Sequence, residues 1–258
     1  MAIGVSTACF YPLETEEALR EVGEIGAAVT EIFLNTEREL KPAFIDILKN
    51  ISLYYGAKIK SLHTFTAASD AYIYYSNYPR RFEDGLDLIR RFSYAAAELG
   101  AEYLIMHGDK LPGKLPDEEV AEHFMIMESA ANEFGVCILQ ENVNRFRSAD
   151  PEFIRSMRAL TDNKMNFCLD IKQALRSGHT PEEMIEAMGE NIRHIHISDN
   201  SSKADCLLPG DGAYDFGALF RRMKGLSYSG DYIIEVYNNC YKSAKEVQKS
   251  LNSTILYL

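Results

Sequence analysis

The stretch Ile192-Arg-His-Ile-His-Ile-Ser-Asp-Asn200, followed by Leu208-Pro-Gly-Asp-Gly212, decides how the rest of the chain is read. It alternates apolar and polar residues, as a strand does. Every second side chain of a strand lies on one face, so His194, His196 and Ser198 are expected to share a side. His196 sits near the carboxyl end of the run, and Asp199 and Asn200 mark the exit. The Pro-Gly-Asp-Gly that follows is too rich in turn formers to continue a regular element. An imidazole at the mouth of a strand is a candidate metal ligand or acid–base group. Its meaning depends on what the other strands present.

Outward from this strand, the order of elements is regular. Residues 3–9, 29–34, 58–65, 103–107, 136–141, 166–170, 193–198 and 232–237 read as short apolar strands. Between and after them, residues 14–26, 37–55, 80–99, 117–134, 151–160, 181–188, 214–223 and a last segment from Ser243 read as helices. Asp117, Asp150 and Thr180 are expected at helix N-termini, and Gly26, Gly56, Gly100 and Gly135 at helix ends. Strand–helix alternation implies right-handed parallel crossovers. Eight such units in 258 residues predict an α/β chain built as a single (β/α)8 TIM barrel over residues 1–258. The rival is a doubly wound open sheet, and the Gly-x-Gly-x-x-Gly that would mark it is missing after the first strand. Residues 66–79, with Tyr72, Tyr74, Tyr75 and Tyr78, form the longest irregular piece and read as a short helix or a lid over the mouth.

Composition narrows the class. Apolar residues make up 47% of the chain, enough for a large core. No apolar run reaches the ~18 residues of a membrane span. The N-terminus has no basic leader, and the five cysteines form no CxxC pair. Reduced thiols in a cytoplasmic protein are therefore expected. The net charge of −11 opposes polyanion binding, so no nucleic-acid partner is expected.

In a barrel of this kind the carboxyl ends of the strands form the active face. From the third strand onward those ends carry His63, His107, Glu141, Asp170, His196 and Glu235. Two positions earlier stand Ser61, Ile105, Leu139, Cys168, His194 and Ile233, as one inward column per strand requires. Asp, Glu and His make up about 17% of the chain, so a three-residue window holds one by chance roughly 40% of the time. Six strands in succession would do so in under about 1% of cases. With no Lys or Arg expected to point inward at this level, three carboxylates and three imidazoles favour one divalent ion over a salt-bridge network. Mixed oxygen and nitrogen donors suit Mn, Mg, Co or Zn.

Four motifs in order, Leu139-Gln-Glu-Asn142, Leu169-Asp-Ile-Lys-Gln-Ala174, His194-Ile-His-Ile-Ser-Asp199 with Pro209-Gly-Asp-Gly212, and Ile233-Ile-Glu-Val-Tyr237, resemble those of the xylose isomerase-like barrels. That superfamily includes sugar and sugar-phosphate isomerases and epimerases, and endonuclease IV on the same scaffold. The resemblance covers essentially the whole chain. It implies that Glu141, Asp170, His196 and Glu235 ligate one divalent ion, and that Glu141 and Glu235 form the acid–base pair. It implies a metal-dependent isomerase or epimerase of a small sugar, sugar phosphate or related keto compound, acting through an ene-diolate, and a homo-oligomer. The alternative is a phosphodiester hydrolase of the endonuclease IV type. His63 and His107 match two of that enzyme's further ligands and would hold a second ion. Its third zinc needs a His where this chain has Gln173, and an Asp-x-His in a loop that here contains no His.

The remaining candidates are assigned by position. Gln173 is expected to contact substrate, as are His63 and His107 unless they only satisfy backbone; Lys203 and Lys110 are candidates to meet a substrate phosphate, against the favoured reading of simple solvated charge. Phe10, Phe33 and Phe65 are candidate pocket walls. His194 is expected to fill an interior layer, Asp199 to cap its loop, and His123 and His179 to lie at the surface.

Overall fold

The computed structural model describes residues 1–65 and 70–258. The strands β1 (Ile3–Ser6), β2 (Val29–Phe33), β3 (Lys58–His63), β4 (Tyr103–Met106), β5 (Cys137–Glu141) and β6 (Asn166–Asp170) are six staves of a barrel. The seventh, β7 (Ile192–Ile197), runs into an antiparallel hairpin of β8 (Asp199–Ser201) and β9 (Ala204–Leu207). The eighth stave is β10 (Tyr232–Ile234), which pairs with β7 and closes the cylinder on β1 through Ile3 opposite Tyr232 and Val5 opposite Ile234. All eight staves run parallel. The expected (β/α)8 barrel is what forms.

The described helices wrap this cylinder in chain order: α1 (Thr15–Glu24), α2 (Pro42–Tyr55), α3 (Asp70–Tyr74), α4 (Pro79–Glu98), α5 (Asp117–Asn132), α6 (Pro151–Leu160), α7 (Ile171–Arg176), α8 (Pro181–Met188), α9 (Phe216–Gly225) and α10 (Ala244–Ile255). None of them is long and apolar enough to cross a membrane. Strand alternation divides the apolar residues into two layers. Leu104, Ile138, Phe167, Leu169, Ile195 and Ile197 join the large core between barrel and helices. Ile105, Leu139 and Cys168 form a separate small cluster with Tyr103 and Cys137, the apolar plug inside the barrel. The residues two positions further along those staves are therefore lifted to the mouth, above a dry floor.

Several local expectations are revised. Asp117 does not cap α5; its carboxylate instead pairs with Arg147 and accepts from Ser156 Oγ at 2.6 Å, tying α5 to α6. The ninth helix starts at Phe216, not Tyr214, because the Asp215 carboxylate accepts the Ala218 N–H and caps it there. Asp170 caps α7, a short helix absent from the expected set, by accepting the Gln173 N–H. His123 is not a surface residue: it stacks on Phe82 at 4.0 Å and bonds the Tyr74 carbonyl at 3.0 Å. Part of the 66–79 segment is the short helix α3, and residues 66–69 lie outside the described residues. Asp199 caps its loop as expected, accepting backbone N–H groups of Asn200, Gly210, Gly212 and Tyr214 within 3.0 Å. All five cysteines are free.

Gly108 follows His107 with φ +86, and a Cβ there would overlap the Gln140 side-chain amide, which donates to the His107 carbonyl at 3.2 Å. Replacing it by alanine therefore strains the backbone and dislodges the side chain that anchors His107. Gly108→Ala is expected to lower unfolding stability by about 1–3 kcal/mol in a urea titration, and unchanged stability would contradict this packing.

Candidate metal centre

Glu141 ends β5, Asp170 ends β6, His196 is the penultimate residue of β7, and Glu235 directly follows β10. One donor atom from each of these four lies within 4.8 Å of those of the other three. His196 Nδ1 is at the centre, 3.0 Å from Glu141 Oε1, 3.2 Å from Glu235 Oε2 and 3.8 Å from Asp170 Oδ2. The first three residues are almost fully buried, while Glu235 keeps 12% of its side chain exposed and lines a cavity.

Neighbouring backbone holds the carboxylates in register. The Asn142 side chain donates to the Asp170 carbonyl at 2.9 Å and accepts the Asp170 N–H at 2.7 Å. This clasp locks the ends of β5 and β6, so Glu141 and Asp170 cannot slide apart. Asp170 Oδ1 is used in capping α7. Its other oxygen, Oδ2, has no hydrogen-bond partner among the described residues, although the Lys172 ammonium stands 3.0 Å away in ionic contact. Three carboxylates and an imidazole, with one buried oxygen unbonded, fit a divalent ion of the kind held by mixed oxygen and nitrogen donors.

Two residues that the sequence reading passed over complete the centre. The first is Glu31 on β2, fully buried. Its carboxylate accepts from Ser61 Oγ at 2.7 Å and lies 3.0 Å from His196 Nε2 and 3.2 Å from His194 Nε2. Burial pushes this carboxyl up, but the charge on His196 and the bonds from both histidines outweigh it and hold Glu31 well below the usual carboxylate range. An ionised Glu31 only accepts, so Nε2 of His196 carries a proton and Nδ1 is the atom turned to the ligand set. Burial also holds His194 below the usual imidazole range despite Glu31, so its ring is neutral.

The second is Lys172, in the first turn of α7, with 3% of its side chain exposed. Its ammonium donates to Glu235 Oε2 at 2.9 Å. The expectation that no cation points inward at this level is therefore wrong. It failed because the inward column was followed only to the last residue of each strand, and the helical turn after Asp170 folds Lys172 back over the mouth. Burial opposes its charge, and Asp170, Glu235 and Glu141 overcome that and raise its pKa well above the ordinary value.

The other candidates divide. His63 and His107 both meet Glu141 Oε2, at 3.5 Å and 3.2 Å, and these three form a second donor group. His63 donates from Nδ1 to the Thr64 carbonyl at 2.8 Å and stacks on Phe33 at 4.5 Å. The side-chain oxygen of Gln173 accepts the Asn144 N–H at 3.2 Å, tying the first turn of α7 to the loop after β5. Lys203 is exposed at the tip of the β8–β9 hairpin, and Lys110 is exposed in the loop after β4. Neither approaches the cavity that Glu235 lines. That cavity is about 420 Å³, walled by Tyr11, Phe33, Phe65 and Tyr237, with Lys172 and Glu235 also in its lining. Phe10 is buried elsewhere, edge-on to Tyr241.

The 3-dehydro-D-guloside 4-epimerase of Escherichia coli K12 is 24% identical over 256 residues, covering 91% of this chain and 92% of that protein. A D-psicose 3-epimerase from Clostridium cellulolyticum H10, solved with D-tagatose, has a TM-score of 0.80 at 15% identity, covering 100% of this chain and 99% of that one. The IOLI protein, crystallised with a zinc atom, has a TM-score of 0.78 at 18% identity, covering 98% and 96%. Both solved structures share the fold. Residues 19–255 match the family model described as the xylose isomerase-like TIM barrel. With nearly its whole length matched, the chain belongs to the xylose isomerase-like TIM barrel family.

Proposed function

We propose that this chain is a divalent-metal-dependent epimerase or isomerase of a small, unphosphorylated keto sugar. The observation that carries the reading is the convergence of Glu141, Asp170, His196 and Glu235 beside a cavity bounded by aromatic walls. Those four residues would hold the ion, with Mn, Mg, Co or Zn all compatible with the donors. When bound, such an ion polarises a substrate carbonyl and makes the neighbouring carbon-bound proton more acidic.

The chain's own groups do the rest. Aromatic walls bury the apolar faces of a sugar ring or chain and exclude water. Glu235, on the cavity wall, removes the proton from one face and leaves an ene-diolate. Glu141, the second carboxylate of the acid–base pair, serves the opposite face, so returning a proton there inverts the carbon. Return to the neighbouring carbon instead interconverts ketose and aldose. Glu31 fixes the tautomer of His196 from below. Among the described residues the lining offers one cation, Lys172, already shared by two carboxylates. A phosphate group needs more positive charge than that, which favours a free sugar. The named activities of the epimerase relatives support this reading over a phosphodiester hydrolase.

The test is a panel of free and phosphorylated ketoses and aldoses incubated with Mn²⁺ in deuterated water. Metal-dependent deuterium uptake into a free ketose is expected, and uptake that survives chelation would overturn the mechanism. Glu141→Gln should cut turnover by at least about 100-fold while leaving the melting curve cooperative, and retained turnover would remove Glu141 from the acid–base pair. Glu31→Gln should weaken Mn²⁺ binding about 10- to 100-fold in a direct titration, because His196 loses the charged partner that orients it. Wild-type affinity in that variant would leave Glu31 a packing residue only.

A further inference from the structure

The two oxygens that Lys172 contacts are two of the three that face His196 Nδ1. Asp170 Oδ2 is 3.0 Å from the ammonium and 3.8 Å from Nδ1. Glu235 Oε2 is 2.9 Å from the ammonium and 3.2 Å from Nδ1. An ion seated among the four donors would draw on those oxygens, so ion and ammonium compete for the same negative charge. Lys172 also has somewhere to go. It lines the cavity together with Glu235, and its ammonium lies 5.3 Å from the centre of the Tyr237 ring, whose face attracts cations. Its four-carbon stem turns freely enough to change seats.

We propose that Lys172 is a resident cation of this centre, holding Asp170 and Glu235 together in the metal-free chain and yielding them to the metal when it binds. This rests on the metal-dependent reading above. Metal uptake is then a cation exchange. Lys172 weakens the chain's grip on its metal, and the N–H donors it releases turn to the cavity, where a substrate oxygen can take them. The two events are linked: the ammonium is free for substrate only once the metal has replaced it. Lys172 is thus a positioning residue for the metal-free centre and a substrate contact of the loaded one.

The test uses the full chain and Mn²⁺ alone. Free Mn²⁺ is followed by its electron paramagnetic resonance signal in the wild type, Lys172→Met and Lys172→Arg. Lys172→Met is expected to bind Mn²⁺ at least about tenfold tighter than the wild type, because a competing charge is gone. Its metal-free form should melt at a lower temperature, and Mn²⁺ should raise that temperature more than in the wild type. Lys172→Arg keeps the charge and should keep wild-type affinity. A purely structural lysine predicts the opposite sign, since its loss would disorder the donors and weaken binding. Should Lys172→Met fail to fold, Lys172→Gln gives the same comparison. Equal or weaker affinity in the neutral variant overturns this inference and leaves the metal reading standing. No Mn²⁺ binding by any of the proteins overturns both.

Discussion

Carboxylates buried side by side must be neutralised, and the centre of this barrel is arranged around that requirement. Glu141, Asp170 and Glu235 present oxygens within 4.8 Å of one another, and Glu31 lies one level below. Two like charges about 4 Å apart repel by roughly 4 kcal/mol at the effective dielectric of such sites. Three such pairs would match the roughly 5–15 kcal/mol that keeps a domain folded. The barrel therefore cannot hold these acids ionised without cations among them. His196 lies between Glu31 and Glu141, and Lys172 lies between Asp170 and Glu235. The divalent ion proposed above would be a further source of positive charge among these donors.

The scaffold keeps stability and chemistry on different parts of the same strands. Outward residues such as Leu169 and Ile195 join the core under the helices, and the inward Ile105, Leu139 and Cys168 plug the cylinder. Glu141 and Asp170 stand just beyond that plug, two residues further along the same staves. Asp170 links the two tasks, since one of its oxygens caps α7 and the other faces Lys172. The Asn142 clasp then sets Asp170 against Glu141. These bonds are to backbone, so they tie Asp170 to the ends of its own stave and its neighbour.

The strand-and-helix rhythm and the strand-end residues were legible in the sequence because both follow from periodicity. A period of two put His194 and His196 on one side, and the same parity carried Glu141 and Asp170 to the mouth. Glu31 was missed for the reason that makes it important. An acid in mid-strand is unfavourable unless buried partners await it, and Ser61, His194 and His196 come from two other strands. Its inward parity with Phe33 was the available signal. Lys172 was missed because its position depends on a helical turn of a few residues, too short for periodicity to show. Gln173 was assigned to substrate by its place in a motif, and its side-chain oxygen accepts the Asn144 N–H, tying α7 to the loop after β5. The β8–β9 hairpin has three and four residues per strand and no apolar alternation long enough to read.

Crystals grown with Mn²⁺ and measured at the manganese absorption edge would test the central claim most directly. The account predicts a strong anomalous peak enclosed by Glu141, Asp170, His196 and Glu235, within about 2.0–2.4 Å of one atom from each. A protein saturated with Mn²⁺ that shows no peak there, with Lys172 still bound to Asp170 and Glu235, would contradict it.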